Sequence, residues 1–276
     1  VRRFRQPSKK VFWKDLIQRI KEDGVTDLSA QLAYYFLLSL FPFLIVAITV
    51  VTALIDESQL YTMLDQYGPP ELMNIIQDNS ELIGGQGGAI LSIGIIGTLW
   101  TASNGMNAVI RALNQAYDVD ESRNFIVARA VAISLTIGML LIIFVAMALP
   151  VFGQMIGNLF FYIGIPHYEE VWNVLRWVLS TVIIAGVITI IYFVAPNKKL
   201  TIRDVWVGAV VATVGWQLVS LAFSYYVNNF ANYSATYGSL GGVIVLMLWF
   251  YVSGLMLIIG GEVNATFKHL EENPQT

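Results

Sequence analysis

Six long, largely apolar stretches divide the chain, over about residues 29–55, 88–112, 125–149, 171–194, 204–227 and 238–265. A helix rises 1.5 Å per residue, so about 20 apolar residues cross the hydrocarbon core of a bilayer. A water-soluble core could not absorb six such blocks. Charged residues make up 13% of the chain, against about 25% in an ordinary soluble domain whose surface faces water. The expected fold is an all-α membrane protein. It has six transmembrane helices, an N-terminal interfacial helix and amphipathic helices in the outer loops. Recognisable signals bound most of the spans. Asp27 and Ser29 are candidate caps for the first, Pro150 and Pro196 follow the third and fourth, and Asp204 opens the fifth.

Basic residues give the orientation, because short cytoplasmic loops are enriched in Lys and Arg. Residues 1–28 hold Arg2, Arg3, Arg5, Lys9, Lys10, Lys14, Arg19 and Lys21. Arg111, Arg123 and Arg129 flank the loop between the second and third spans; Lys198, Lys199 and Arg203 fill the loop between the fourth and fifth; Lys268 follows the last. Only Arg176 falls on the opposite side. Loops 56–87, 150–170 and 228–237 carry no Lys or Arg, but they hold Asp56, Glu57, Asp65, Glu71, Asp78, Glu81, Glu169 and Glu170. Both termini are therefore expected in the cytoplasm. The chain divides into a basic amphipathic segment at 1–28, a transmembrane domain at 29–265 and a cytoplasmic tail at 266–276.

The basic N-terminal segment lacks the short apolar region and small-residue cleavage site of a signal peptide. Val11, Phe12, Leu16, Ile17 and Ile20 instead recur at helical spacing among lysines and Arg19, between Ser8 as a candidate cap and Gly24 as a stop. Such a helix is expected in the headgroup plane, the alternative being a solvated basic tail. In the first outer loop, Leu60, Met63, Leu64 and Tyr67 suggest one amphipathic helix. Leu72, Ile75, Ile76 and Ile83 suggest another, entered through Pro69-Pro70, with a flexible glycine joint at 84–88 behind it. Residues Gly153 to Ile165 suggest a further interfacial helix.

Polar groups inside hydrocarbon are costly and face the bundle interior. Asn104, Asn107 and Arg111 follow a helical course on the second span, Gln31, Tyr34 and Tyr35 sit in the first turns of span one, and Glu262 and Asn264 lie late in span six. Together they are candidates to line an inward-facing polar cavity and bind substrate; interhelical hydrogen bonding is their other use. Arg111 and Glu262 fall at similar depth by helical rise, about 35 Å below Gly88 and Gly238, which makes them a candidate pair. The alternative is that each reaches cytosolic water separately. Gln217 sits beside Trp216 at mid-depth in span five, and Pro42 is a candidate hinge in span one. Small residues spaced by four (Ala130, Ser134 and Gly138 on span three, Gly208 and Ala212 on span five) permit close helix approach, expected within the monomer, with dimerisation the alternative. Tyr225, Tyr226, Tyr233 and Tyr237, with Asn228 and Asn229, read as an aromatic belt with a polar cap.

The chain has no cysteine and only two histidines, His167 and His269, on opposite sides of the membrane. No catalytic triad order, metal motif or phosphate loop occurs. No catalytic residue, metal ligand or cofactor is therefore assigned, and an enzyme is not expected. Asp118, Asp120 and Glu121 read as a solvated helix start.

Several segments resemble the YihY/BrkB family of bacterial inner-membrane proteins. They are Leu32-Ala33-Tyr34-Tyr35 through Ser39-Leu40-Phe41-Pro42, Asn114-x-x-Tyr117-x-Val119-x-Glu121-x-Arg123 and Tyr237-Gly238-Ser239-Leu240-Gly241. The ending Leu246-x-x-Trp249-x-Tyr251 with Gly261-Glu262-x-Asn264-Ala265 matches as well, so the resemblance runs through the whole chain in order. It implies location in the bacterial inner membrane, and a role in envelope transport through relatives associated with serum resistance and export of lipid A-type lipids. The family has also carried the label ribonuclease BN. The residues speak against that label, because RNA cleavage needs metal ligands or an acid–base pair and a basic groove. The expected function is a transporter or flippase-like protein for an amphiphile, lipid or osmolyte; the alternative is a non-transporting envelope scaffold or assembly factor. Membrane lipids and an amphiphilic or small solute are the expected partners, nucleic acid is not, and a homo-oligomer is compatible with the pattern.

Overall fold

A computed structural model describes residues 9–54, 88–140, 168–229 and 240–272. Its helices are α1 (Lys9–Glu22), α2 (Val25–Leu54), α3 (Gly88–Ala116), α4 (Phe125–Leu140), α5 (Tyr168–Val194), α6 (Ile202–Asn229) and α7 (Leu240–Glu272). The outer-loop helices expected over 60–83, the joint at 84–87, the segment Gly153–Ile165, Ser8, His167, Tyr233 and Tyr237 lie outside the described residues.

Four described helices are long and apolar enough to cross a membrane, over Val25–Leu44, Glu170–Val194, Ile202–Asn229 and Leu240–Glu272. The second and third expected spans fall on α3 and α4. α4 is described as a shorter apolar helix, Phe125–Leu140. α3 is 29 residues long but carries Thr101, Ser103, Asn104, Asn107, Arg111 and Asn114 along its length.

Helix α7 is the centre of the packing and touches α6, α2, α1 and α3, while α5 lies against α6 and α3 against α2. The interior is built from small residues. A β-carbon on Gly208 of α6 would collide with the Gly260 carbonyl oxygen of α7, and one on Gly260 would come within 2.7 Å of the Ala212 β-carbon. The expected Gly208/Ala212 contact is thus made within the monomer. By contrast, Ala130 and Ser134 on α4 are exposed, and a β-carbon on Gly138 would meet nothing. Large apolar side chains point outward instead, among them Val182 and Ile190 on α5 and Leu218 and Leu221 on α6. Small inside and large apolar outside suits lipid, where close backbone approach rather than hydrophobic burial holds helices together.

Gly24, at φ +59°, makes the turn between α1 and α2, a conformation that a β-carbon would strain. α2 begins at Val25, one turn before the expected start. Ser29 is therefore no cap but lies buried inside the helix, its Oγ donating to the Val25 carbonyl at 2.6 Å. α1 also departs from a simple surface helix. Phe12 stacks on Phe267 of α7 at 4.5 Å and Leu16 is buried, while Trp13 and Ile17 stay exposed. One face of α1 thus docks on the protein and only the other is left for a headgroup layer. Asp204 opens α6 as expected: its Oδ2 accepts from the Thr201 N–H at 2.7 Å and hydroxyl at 2.8 Å, satisfying a donor that the helix start leaves free.

Candidate functional site at the basic end of the bundle

The end of α3 and the loop after it are locked to the loop after α5. Asn114, in the last turn of α3, is buried. Its Nδ2 donates to Glu121 Oε2 at 3.0 Å, and its Oδ1 accepts from the Asn197 N–H at 2.7 Å. Asn197 in turn donates to the Asp120 carbonyl and the Ser122 hydroxyl, both at 2.8 Å. Arg123 grips Glu121 through two nitrogens, at 2.7 and 2.6 Å, and donates to the Ala195 carbonyl at 2.9 Å. The Arg123 hydrogen bond holds the Glu121 carboxyl below its ordinary value, against an opposing effect of burial. The acidic run at 118–121 is therefore not simply a solvated helix start. Glu121 is the hub of an inter-loop clamp, and Asp118 takes a positive φ of 52°.

Arg19 ties α1 to this loop. Its Nη1 donates to Asp118 Oδ2 at 3.1 Å and to the Ala116 carbonyl at 3.4 Å, and its Nε to Asp15 Oδ2 at 3.3 Å. Burial alone would lower the Arg19 pKa, but Asp118 and Asp15 outweigh it and raise it. On α7, His269 Nδ1 lies 3.3 Å from the same Asp15 oxygen. Gln115 Nε2 donates to the Asp23 carbonyl at 2.9 Å, which brings the α1–α2 corner against the end of α3. Burial raises the pKa of the Asp23 carboxyl.

Between these groups lies the buried end of α7. A β-carbon on Gly261 would come within 2.6 Å of Leu113 Cδ2, so α3 and α7 meet there with no room to spare. Glu262 is fully buried, and among the described residues neither of its carboxyl oxygens has a hydrogen-bond donor. One turn on, the buried Thr266 Oγ1 likewise has no partner among the described residues, nor has the hydroxyl of the buried Tyr117. Burial pushes the Tyr117 phenol up. Asn264, two residues beyond Glu262, has a partner on each amide atom: Oδ1 accepts from the Gly208 N–H at 2.6 Å, and Nδ2 donates to the Val205 carbonyl at 3.0 Å.

The cavity candidates fall into separate groups. Arg111 does not pair with Glu262. It is exposed, with its guanidinium 5.1 Å above the Tyr35 ring, whereas Glu262 is buried. The equal depth inferred from helical rise could not show that the two side chains leave their helices in different directions. Tyr35 meets Tyr34 edge-on at 5.5 Å, and Gln31 and Tyr34 are exposed. Asn104 belongs to Arg129 on α4, accepting from its Nη1 at 3.0 Å. Asn107 is half-buried on the same helix. Gln217 donates to Thr181 Oγ1 at 2.8 Å, at an α5–α6 contact. Pro42 lies within the continuous helix α2.

Sequence reasoning placed Arg129 at a loop flank and missed its environment. Its side chain is buried, its guanidinium lies 4.0 Å over the Trp100 ring, and it donates to the Trp100 carbonyl. Its Nε has no partner, and it makes no ion pair among the described residues. The available signal was its place five residues into an apolar helix, where a cation must face protein.

The sequence profile of the family described as Virulence factor BrkB matches residues 16–276. The chain is 47% identical over 271 residues, covering 95% of itself and 98% of the relative, to YfkH of Bacillus subtilis (strain 168), whose name describes it as ribonuclease-like. It is 27% identical over 267 residues to a UPF0761 membrane protein of Alteromonas mediterranea, covering 93% and 87% of the two chains. A UPF0761 membrane protein of Haemophilus influenzae (strain 86-028NP) is 23% identical over 270 residues, covering 95% of each chain. No solved structure matches the chain.

Proposed function

This chain belongs to the Virulence factor BrkB family, and on that footing we propose that it is a transporter of flippase type in the bacterial inner membrane. Its cargo is an amphiphile, lipid or osmolyte of the envelope. The reading takes six spans, adding α3 and α4 to the four apolar helices, with the basic end in the cytoplasm.

The observation that carries it is a pair of buried ionisable groups, Arg129 on α4 and Glu262 on α7, neither of which forms an ion pair among the described residues. A charge placed in a membrane bundle costs at least about 2.5–3.5 kcal/mol. Structural charges offset that cost with a partner of opposite sign, as Lys268 does with Asp204 at 3.1 Å. Charges left open for a cargo or a coupling ion do not. Arg129 beside the Trp100 ring offers a cation and an aromatic face together, which suits the anionic head and apolar body of an amphiphile.

The ribonuclease-like name of the Bacillus relative is not carried over. Among the described residues no group of three or more His, Cys, Asp or Glu is arranged to hold a metal ion. The test is reconstitution of purified protein into liposomes. Movement of anionic and zwitterionic lipid analogues, and of small osmolytes, is compared with protein-free vesicles. Transport of any of these above the protein-free rate supports the reading, and a folded protein that moves none supports the scaffold alternative.

A further inference from the structure

The surface of α1 is split along its length. At about 100° per residue, Lys10, Trp13, Lys14, Ile17, Gln18 and Lys21 share about 140° of the helix circumference. All six are exposed. Phe12, Leu16 and Arg19 occupy the opposite side, toward the protein. Leu16 is buried, Phe12 stacks on Phe267 at 4.5 Å, and Arg19 reaches Asp118 at 3.1 Å. Asp15 is engaged on the protein as well: its Oδ2 meets Arg19 Nε and His269 Nδ1, both at 3.3 Å. The exposed stripe therefore carries three lysines and no carboxylate, and none of these lysines forms an ion pair among the described residues.

Two large apolar side chains stand among the lysines, Trp13 at 59% exposed and Ile17 at 52%. The Trp13 ring meets Phe12 edge-on at 5.6 Å, and Phe267 behind it is also exposed, so the apolar surface continues from α1 onto α7. Water suits the lysines and not this patch, and hydrocarbon suits the patch and not the lysines. The headgroup boundary of a bilayer takes both, with indole and isoleucine at the acyl edge and lysine stems reaching back to phosphate. That boundary is close by. α1 ends at Glu22, Gly24 turns the chain, and a helix long and apolar enough to cross a membrane starts at Val25. From Lys10 to Lys21 the stripe spreads its charge over about 17 Å. A single anionic group could match one of these lysines; a layer of anionic headgroups matches all three.

We propose that the outer face of α1 docks into the headgroup layer of an anionic leaflet, with Trp13 and Ile17 entering the acyl edge and Lys10, Lys14 and Lys21 pairing with lipid phosphates. The helix is then held from both sides. Its inner face keeps the Phe12–Phe267 stack, the Asp15–His269 contact and the Arg19–Asp118 ion pair, so lipid charge bears through α1 on the end of α7 and on the loop that carries Glu121. The docking stands whether or not the bundle moves a cargo.

Fluorescence from a single label tests it, because the chain has no cysteine of its own. The whole chain bearing Ile17→Cys with a polarity-sensitive dye is placed in nanodiscs of phosphatidylglycerol or of phosphatidylcholine. Emission should lie further to the blue in phosphatidylglycerol. It should return to the phosphatidylcholine value at about 1 M salt, where the Debye length is about 3 Å, and when Lys10, Lys14 and Lys21 are all replaced by Gln. Gln18→Cys on the same stripe gives the same reading should Ile17→Cys fail to fold, and Asp120→Cys in the exposed loop supplies the water-like reference. Water-like emission in both lipids overturns the proposal and leaves the face to a soluble partner. Blue emission that ignores lipid charge, salt and the lysines also overturns it and assigns the face to a second copy of the chain.

Discussion

Asn264 and Gly208 are joined where two helix backbones touch: the asparagine Oδ1 of α7 accepts the glycine N–H of α6 at 2.6 Å. The Nδ2 of the same side chain donates to Val205 at 3.0 Å. Asn264 thus reads backbone rather than side chain, and Gly208 has no β-carbon because the Gly260 carbonyl occupies that space.

Asn264→Ala should therefore destabilise the protein by about 1–3 kcal/mol, since buried groups lose their partners. Gly208→Ala should cost a similar or larger amount, because backbone rather than a flexible side chain stands in the way. Thermal unfolding in detergent, read by circular dichroism, measures both. Wild-type stability in Gly208→Ala would contradict the close approach.

The loop clamp predicts a pH dependence. Arg123 lowers the Glu121 pKa from its ordinary value of 4.5. A depressed acid stabilises the fold above its unfolded pKa and loses that contribution as pH falls through its folded value. The Glu121 contribution should be intact at neutral pH and fade as pH falls below 4.5 and through the lowered folded value. Glu121→Gln should flatten the acid limb of a stability-against-pH curve and leave the neutral limb parallel to wild type. An unchanged acid limb would place the transition elsewhere.

Orientation is testable with single cysteines, because the natural chain has none. Ser122 and Asn228 are both exposed, at opposite ends of the bundle. In intact cells an impermeant thiol reagent should label Asn228→Cys and not Ser122→Cys. The reverse pattern would invert the proposed topology.

Rigorously purified protein should leave RNA intact under conditions in which a control ribonuclease degrades it. Cleavage that copurifies with the chain and disappears on substitution of Asp118, Asp120 and Glu121 would restore the ribonuclease reading.

Much of the architecture was legible in the amino-acid order. Apolar block length gave four of the helices as spans, and the Gly24 stop and the Asp204 start were readable as local signals. The small residues Gly208 and Ala212 correctly announced a close crossing. The site was less legible, because spacing gives height along a helix and says little of azimuth between helices. Arg111 and Glu262 share a depth by helical rise, yet one lies over Tyr35 and the other is buried. Asn114, Glu121 and Arg123 were visible as a motif, but their purpose depends on Asn197, 83 positions away from Asn114, which no local pattern connects to it.

In the transport reading, buried Arg129 and Glu262, without an ion-pair partner among the described residues, serve the movement of cargo. Its most direct test is the lipid and solute flux of the reconstituted wild type against Arg129→Gln and Glu262→Gln, at matched amounts of folded protein. Flux is expected in the wild type, with a loss of about tenfold or more in each variant, equivalent to about 1.4 kcal/mol in the barrier. Wild-type flux no greater than that of empty vesicles, or equal rates in all three proteins, would contradict it.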